Sequence, residues 1–113
     1  MQTNVLSTVI THIQSTYGLD SDETRKFILM LHETLCQSDT ILRSQDADQI
    51  YHRAHTLHSE LNICGYTTLS ELITKIEIQA KKGVIESILI DEFLLLSDAL
   101  IVEIDGWGAD TAL

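Results

Sequence analysis

The sequence predicts an all-α fold, an antiparallel bundle of five helices, and three observations carry that expectation. The chain has no proline and only 5% aromatic residues against 44% hydrophobic ones, a balance that suits helices packed through Leu and Ile better than a β-sandwich. Apolar residues recur every three or four positions along most of its length. The glycines, Gly18, Gly65, Gly83, Gly106 and Gly108, are the only strong breakers and cut the chain into helix-length pieces. At 113 residues these pieces make one domain, 1–113, large enough to bury a core without disulfides or metal.

The first helix is expected over residues 4–17, where Val5, Leu6, Val9, Ile10 and Ile13 fall at helical spacing and Gly18 ends the run. Asp20 or Ser21 then offers an N-cap, with Asp22 and Glu23 in a first turn that favours negative charge. The second helix is expected over 22–43, its apolar face made by Phe27, Leu31, Leu35 and Leu42 with Ile28 and Met30 beside them. The polar run "RSQDAD" breaks the chain, and Asp46 caps a third helix over 47–63. Ile50, Ala54, Leu57, Leu61 and Cys64 step by 4, 3, 4 and 3, a regular core stripe closed by Gly65 as C-cap. A fourth helix starts at Thr67 or Thr68, turns Leu69, Leu72, Ile73 and Ile76 inward, and ends on Lys81 and Lys82 before Gly83. The fifth is expected over 84–104, followed by a frayed tail at 105–113. It is apolar on two stripes, Leu89–Phe93–Leu96–Leu100 and Ile90–Leu94–Ile101, which predicts burial among the other helices; the alternative is a face for a homodimer or a docking partner.

Charge and cysteine content narrow the function. A net charge of −10, from 17 acidic and 7 basic side chains, argues against nucleic acid and anionic membrane surfaces and leaves room for a basic partner. The apolar C-terminal run carries Glu86, Asp91, Glu92, Asp98 and Glu103, too many acids for a transmembrane span. Two cysteines, Cys36 and Cys64, and an N-terminus without a basic start or cleavage site predict a cytoplasmic protein with reduced thiols. The chain opens on its own methionine, and a freestanding protein is expected.

The stretch "YHRAHTLHSELNICG" concentrates the chemistry, with His52, His55 and His58 three residues apart. At 100° per residue, and with the core stripe at zero, His55 points about 140° away, His52 about 160° away on the other side, and His58 about 80°. His55 and His52 therefore face solvent and His58 lies on the flank. Tyr51, Ser59 and Asn62 share the His55 strip, at i−4, i+4 and i+7, while Arg53 and Glu60 occupy the opposite flank. Histidines that drift about 60° per step do not converge on one ion, and neither an HExxH nor a Glu-x-x-His pair is present, so no metal site is expected. A neutral imidazole is a nucleophile, but the chain has no glycine-rich phosphate loop; such a histidine could pass on a group, not fetch one from ATP. His12 and His32 have no assigned role.

The register around His55 resembles that of histidine-containing phosphotransfer (HPt) domains. That family carries an Ala-His-x-Leu-Lys-Gly run and a small residue ten positions after the histidine. Here Ala54 precedes His55, Leu57 lies at +2 and Gly65 at +10, while Leu69, Ile73, Ile76, Glu77 and Ala80 follow the pattern of the family's next helix, closed by Lys81, Lys82 and Gly83. Neither His52 nor His58 has both the leucine and the small residue at these spacings. The match covers residues 20–83 directly.

The resemblance implies a four-helix bundle with an additional N-terminal helix and a phosphorelay role. His55 would accept a phosphoryl group from a receiver-domain aspartate and pass it to another receiver domain. It implies no cofactor of the chain's own, with Mg²⁺ supplied by the receiver of a hybrid kinase or response regulator. His58, Ser59 and Asn62 would neighbour the phosphate, and Tyr51 and His52 would lie on the docking surface. Two departures stand out: His58 replaces the family's lysine and Ser59 its glycine. They motivate the alternative of a degenerate member that docks or dimerises without transferring phosphate.

Overall fold

Glycine and aspartate punctuation sets the observed architecture. The computed structural model describes residues 5–111, with side chains to Trp107, so Asn4, at the expected start of the first helix, and the last two positions of the expected tail lie outside the described residues. Five helices follow one another: α1 (Val5–Tyr17), α2 (Ser21–Leu42), α3 (Ala47–Cys64), α4 (Thr67–Lys81) and α5 (Ser87–Thr111). No strand occurs among the described residues, and no helix there is long and apolar enough to cross a membrane.

The caps explain the boundaries. Asp20, rather than Ser21, caps α2: its Oδ1 accepts from the Glu23 amide at 2.8 Å, and Glu23 Oε1 accepts from the Asp20 amide at 3.0 Å, a reciprocal capping box. Asp46 Oδ1 accepts from the amides of Asp48 and Gln49 at the start of α3. Gly65 ends α3 with φ +69°, in the left-handed region where a Cβ is disfavoured. A Cβ there would also come within 2.6 Å of the His12 ring, so α1 lies directly against the α3–α4 turn.

Each helix buries one face. Leu6, Val9 and Ile13 of α1, the Ile50–Ala54–Leu57–Leu61–Cys64 stripe of α3, and Leu69, Leu72, Ile73 and Ile76 of α4 meet in one core, as their spacing predicts. The face of α2 is rotated from the expected one. Ile28, Leu31, Leu35 and Leu42 are buried, Phe27 is only half-buried and Met30 is exposed, so the buried stripe of α2 runs through Ile28 rather than Phe27.

The last helix departs most from expectation. It starts at Ser87 rather than 84 and continues through Gly106 and Gly108 to Thr111, where a frayed tail is expected from 105 onward. Glycine costs about 1 kcal/mol in a helix, and tertiary contacts oppose that cost here. The Leu6 amide donates to Glu103 Oε1 at 2.9 Å, His32 Nε2 pairs with Asp105 Oδ1 at 2.7 Å, and Ile104 and Trp107 pack on the core. The two expected stripes of α5 merge into one buried line, Ile90, Phe93, Leu94, Leu100 and Ile104, with Leu89, Leu96 and Ile101 at its edges. A third side, carrying Ile88, Leu95 and Val102, stays exposed.

Buried ionisable groups yield testable chemistry. Burial first, and then the Glu60 charge, push the Cys64 thiol up to about 12, whereas Cys36 is exposed with a thiol raised less. At pH 8 a thiol reagent is expected to modify Cys36 alone in the native protein and both cysteines in guanidinium, as counted by intact mass. Burial also raises the Glu60 carboxyl above its ordinary value of 4.5, against the lowering effects of Thr34 and Arg53, and its Oε1 has no hydrogen-bond partner among the described residues. A carboxyl with a raised folded pKa binds its proton more tightly folded than unfolded, so stability is lost as pH rises from the ordinary value through the folded one. Glu60→Gln is therefore expected to raise Tm at pH 7, with the gain shrinking toward pH 4. Gly65→Ala is expected to cost about 1–2 kcal/mol from the left-handed backbone alone. The clash with the His12 ring adds to it, so chemical denaturation of the His12→Ala/Gly65→Ala double variant should show less loss than the sum of the singles.

Candidate functional site

The α3–α4 hairpin builds the site. The two helices run antiparallel across a two-residue link, and cross-contacts hold their register: His55 and His58 both meet Glu77, and Asn62 meets Ser70. Because Ala54, Leu57 and Leu61 are locked in the core, the faces between them must point outward or toward α4. His55 takes the outward direction, with its side chain 66% exposed. His58 takes the lateral one at 33%, and Glu77 sits between them at 16%.

One carboxylate thus serves two imidazoles. Glu77 Oε2 lies 2.9 Å from His55 Nδ1, and Glu77 Oε1 lies 3.0 Å from His58 Nδ1. An ionised carboxylate can only accept, so each contact calls for a proton on Nδ1. A neutral His55 ring in that tautomer carries its lone pair on Nε2, the nitrogen turned away from the carboxylate. The pair also provides for charge. As Nε2 forms a bond the ring becomes cationic, and the anion behind Nδ1 stabilises it, as the carboxylate does in a catalytic triad.

The other expected site residues take distinct places. The Tyr51 ring lies 6.3 Å from the His55 ring, in a tilted arrangement, and is half-buried. His52 contacts Tyr51 edge-on at 5.2 Å and pairs with Asp48 at 3.6 Å; with Ile41, Gln49, Arg53 and Thr56 it lines an open groove of about 540 Å³ on the α2 side of the helix. The Ser59 hydroxyl donates back to the His55 carbonyl at 3.5 Å. Asn62 Oδ1 accepts from the Ser70 hydroxyl at 2.6 Å, which ties it to α4. So His55 and His58 are brought together at Glu77, Tyr51 flanks His55, Ser59 turns back to the His55 backbone, and Asn62 and His52 are engaged elsewhere.

Glu77 is the residue that helix periodicity on α3 does not reveal. Its signal lies on the neighbouring helix: an acid one position after Ile76 and three before Ala80, at the edge of a buried stripe where a lone carboxylate needs a partner. Among the described residues no group of three or more His, Cys, Asp or Glu side chains is arranged to hold a metal ion. No family model, no curated protein and no solved structure matches this chain.

Proposed function

We propose that the protein is a phosphorelay intermediate of the HPt type, with His55 as the phosphoryl carrier. The observation that supports this best is the Glu77 contact to Nδ1 of an exposed histidine: it leaves Nε2 as the nucleophilic nitrogen and faces it outward. In the proposed step the Nε2 lone pair attacks the phosphorus of a receiver's aspartyl phosphate. The N–P bond forms, the P–O bond to aspartate breaks, and the aspartate leaves as a carboxylate. The Nδ1 proton stays on the ring and the Glu77 charge compensates it. Phosphoryl transfer of this kind needs positioning and charge compensation rather than new covalent machinery, and the receiver is the expected source of Mg²⁺.

The packing supports the finer architecture as part of the same reading. Helices α2, α3, α4 and α5 contact one another in sequence and α5 returns to α2, a ring of contacts that supports a four-helix bundle, while α1 packs on α2, α3 and α5. His58 stands where the family has lysine and meets the same carboxylate as His55, so it supplies positive charge only when protonated. The absence of any lysine or arginine on the His55 strip favours the second reading, a docking module that carries no phosphate.

The readings separate on incubation with a receiver domain phosphorylated by acetyl phosphate and Mg²⁺, followed by Phos-tag electrophoresis. The first expects an acid-labile phosphoprotein that persists in His58→Ala and is lost in His55→Gln. Glu77→Gln keeps one acceptor for two rings and should slow transfer roughly tenfold, Glu77→Ala by more. Receiver binding without any phosphoryl transfer, unchanged in His55→Gln, would establish the second reading instead.

A further inference from the structure

The side of α5 turned away from the core carries a second surface. Ile88, Leu95 and Val102 are 75%, 71% and 69% exposed and lie seven residues apart, so they form one line along the helix. Acids border this line: Asp91, Asp98 and Asp105 on one flank, all exposed, and Glu92 on the other. From Ser87 to Thr111 there is no lysine or arginine. Three large aliphatic side chains held in water between carboxylates do nothing for the core, which the opposite side of the helix already fills.

Two further features fit a helix lying on this line. Ala99 and Gly106 fall next to Leu95 and Val102 on the same side, where small residues let a partner backbone approach closely. Among the described residues a Cβ at Gly106 would meet nothing within 4 Å, so no contact there requires a glycine, although glycine weakens the helix. At its C-terminal end the line opens into a groove of about 490 Å³ between α5 and α1, where Val102 and Gly106 face Leu6 and Ile10.

We infer that this face of α5 docks a basic amphipathic helix from another protein, with large aliphatic or aromatic residues on the seam and Lys/Arg on its flanks. Charge selects that occupant. A second copy laid along α5 would set Asp91, Glu92 and Asp98 against identical acids; Arg43 of α2 lies near Asp91 and Asp98 but is bonded to Asp39, so Lys/Arg flanks on a partner complement these acids better than a second copy does. The surface is also distinct from the histidine site: among the described residues the backbone of α5 lies against α1, α2 and α4 and not against α3, which carries His55. A helix held on α5 leaves His55 open.

The test uses the full chain and a fluorescein-labelled synthetic helix of about three heptads, with Leu on one face and Lys on both flanks, followed by fluorescence anisotropy. A scrambled peptide of equal composition is the control. Saturable binding that weakens with salt is expected, about tenfold weaker or more for Leu95→Lys and weaker again for Asp98→Lys, and unchanged for His55→Gln. Circular dichroism should give Leu95→Lys the same melting curve as the parent. Equal binding of the scrambled peptide, or full binding by Leu95→Lys, would overturn the inference. So would sedimentation equilibrium showing a dimer that Leu95→Lys dissociates, because the face would then belong to a second copy.

Discussion

The antiparallel contact of α3 with α4 is the constraint on which the rest of the molecule depends. The link between them is Gly65 and Tyr66, and Gly65 must be left-handed for the chain to reverse so abruptly. That reversal brings Glu77 level with His55 and His58 and Ser70 level with Asn62. The α3 stripe of Ile50, Ala54, Leu57, Leu61 and Cys64 then settles into the core and fixes the rotation of the helix, so the direction of every histidine on it follows. The first helix reinforces the arrangement, since the His12 ring occupies the space that any side chain at position 65 would need.

The site therefore combines a local and a tertiary determinant. The local one is the helix period, which separates an exposed His55 from a flanking His58. The tertiary one is the hairpin register, which supplies the carboxylate. Neither alone distinguishes an ordinary surface histidine from one with an assigned tautomer. Together they hold an exposed imidazole against a fixed carboxylate, with Nδ1 of His55 engaged by Glu77.

Much of the fold was legible in the sequence where local chemistry decides. Asp46, Gly65 and the α3 stripe act within one or two turns, and their roles can be read from spacing alone. Asp20 rather than Ser21 caps α2 because Glu23 completes the reciprocal bond, a distinction of one residue that either reading of the sequence allows. Longer-range effects were less legible. The glycines at 106 and 108 read as a helix end, yet Glu103, Asp105 and Trp107 hold α5 against α1, α2 and the core and carry the helix through them. Adjacent apolar residues on α2 left the choice between Phe27 and Ile28 to packing. Glu77 could not be paired with the histidines from a helical wheel, because a wheel gives directions and not neighbours.

The two-ring contact of Glu77 has a consequence for the stiffness of the site. A free glutamate side chain samples many rotamers, and ordering it costs up to about 2 kcal/mol in lost freedom. Here His58, itself partly enclosed, holds one carboxylate oxygen whatever happens to the other. If the His55 ring swings out toward solvent or toward another molecule, Glu77 keeps its rotamer, and the ring returns to an acceptor already in position. A lysine at 58 would carry a permanent charge on a flexible stem, whereas the histidine is a short, planar strut.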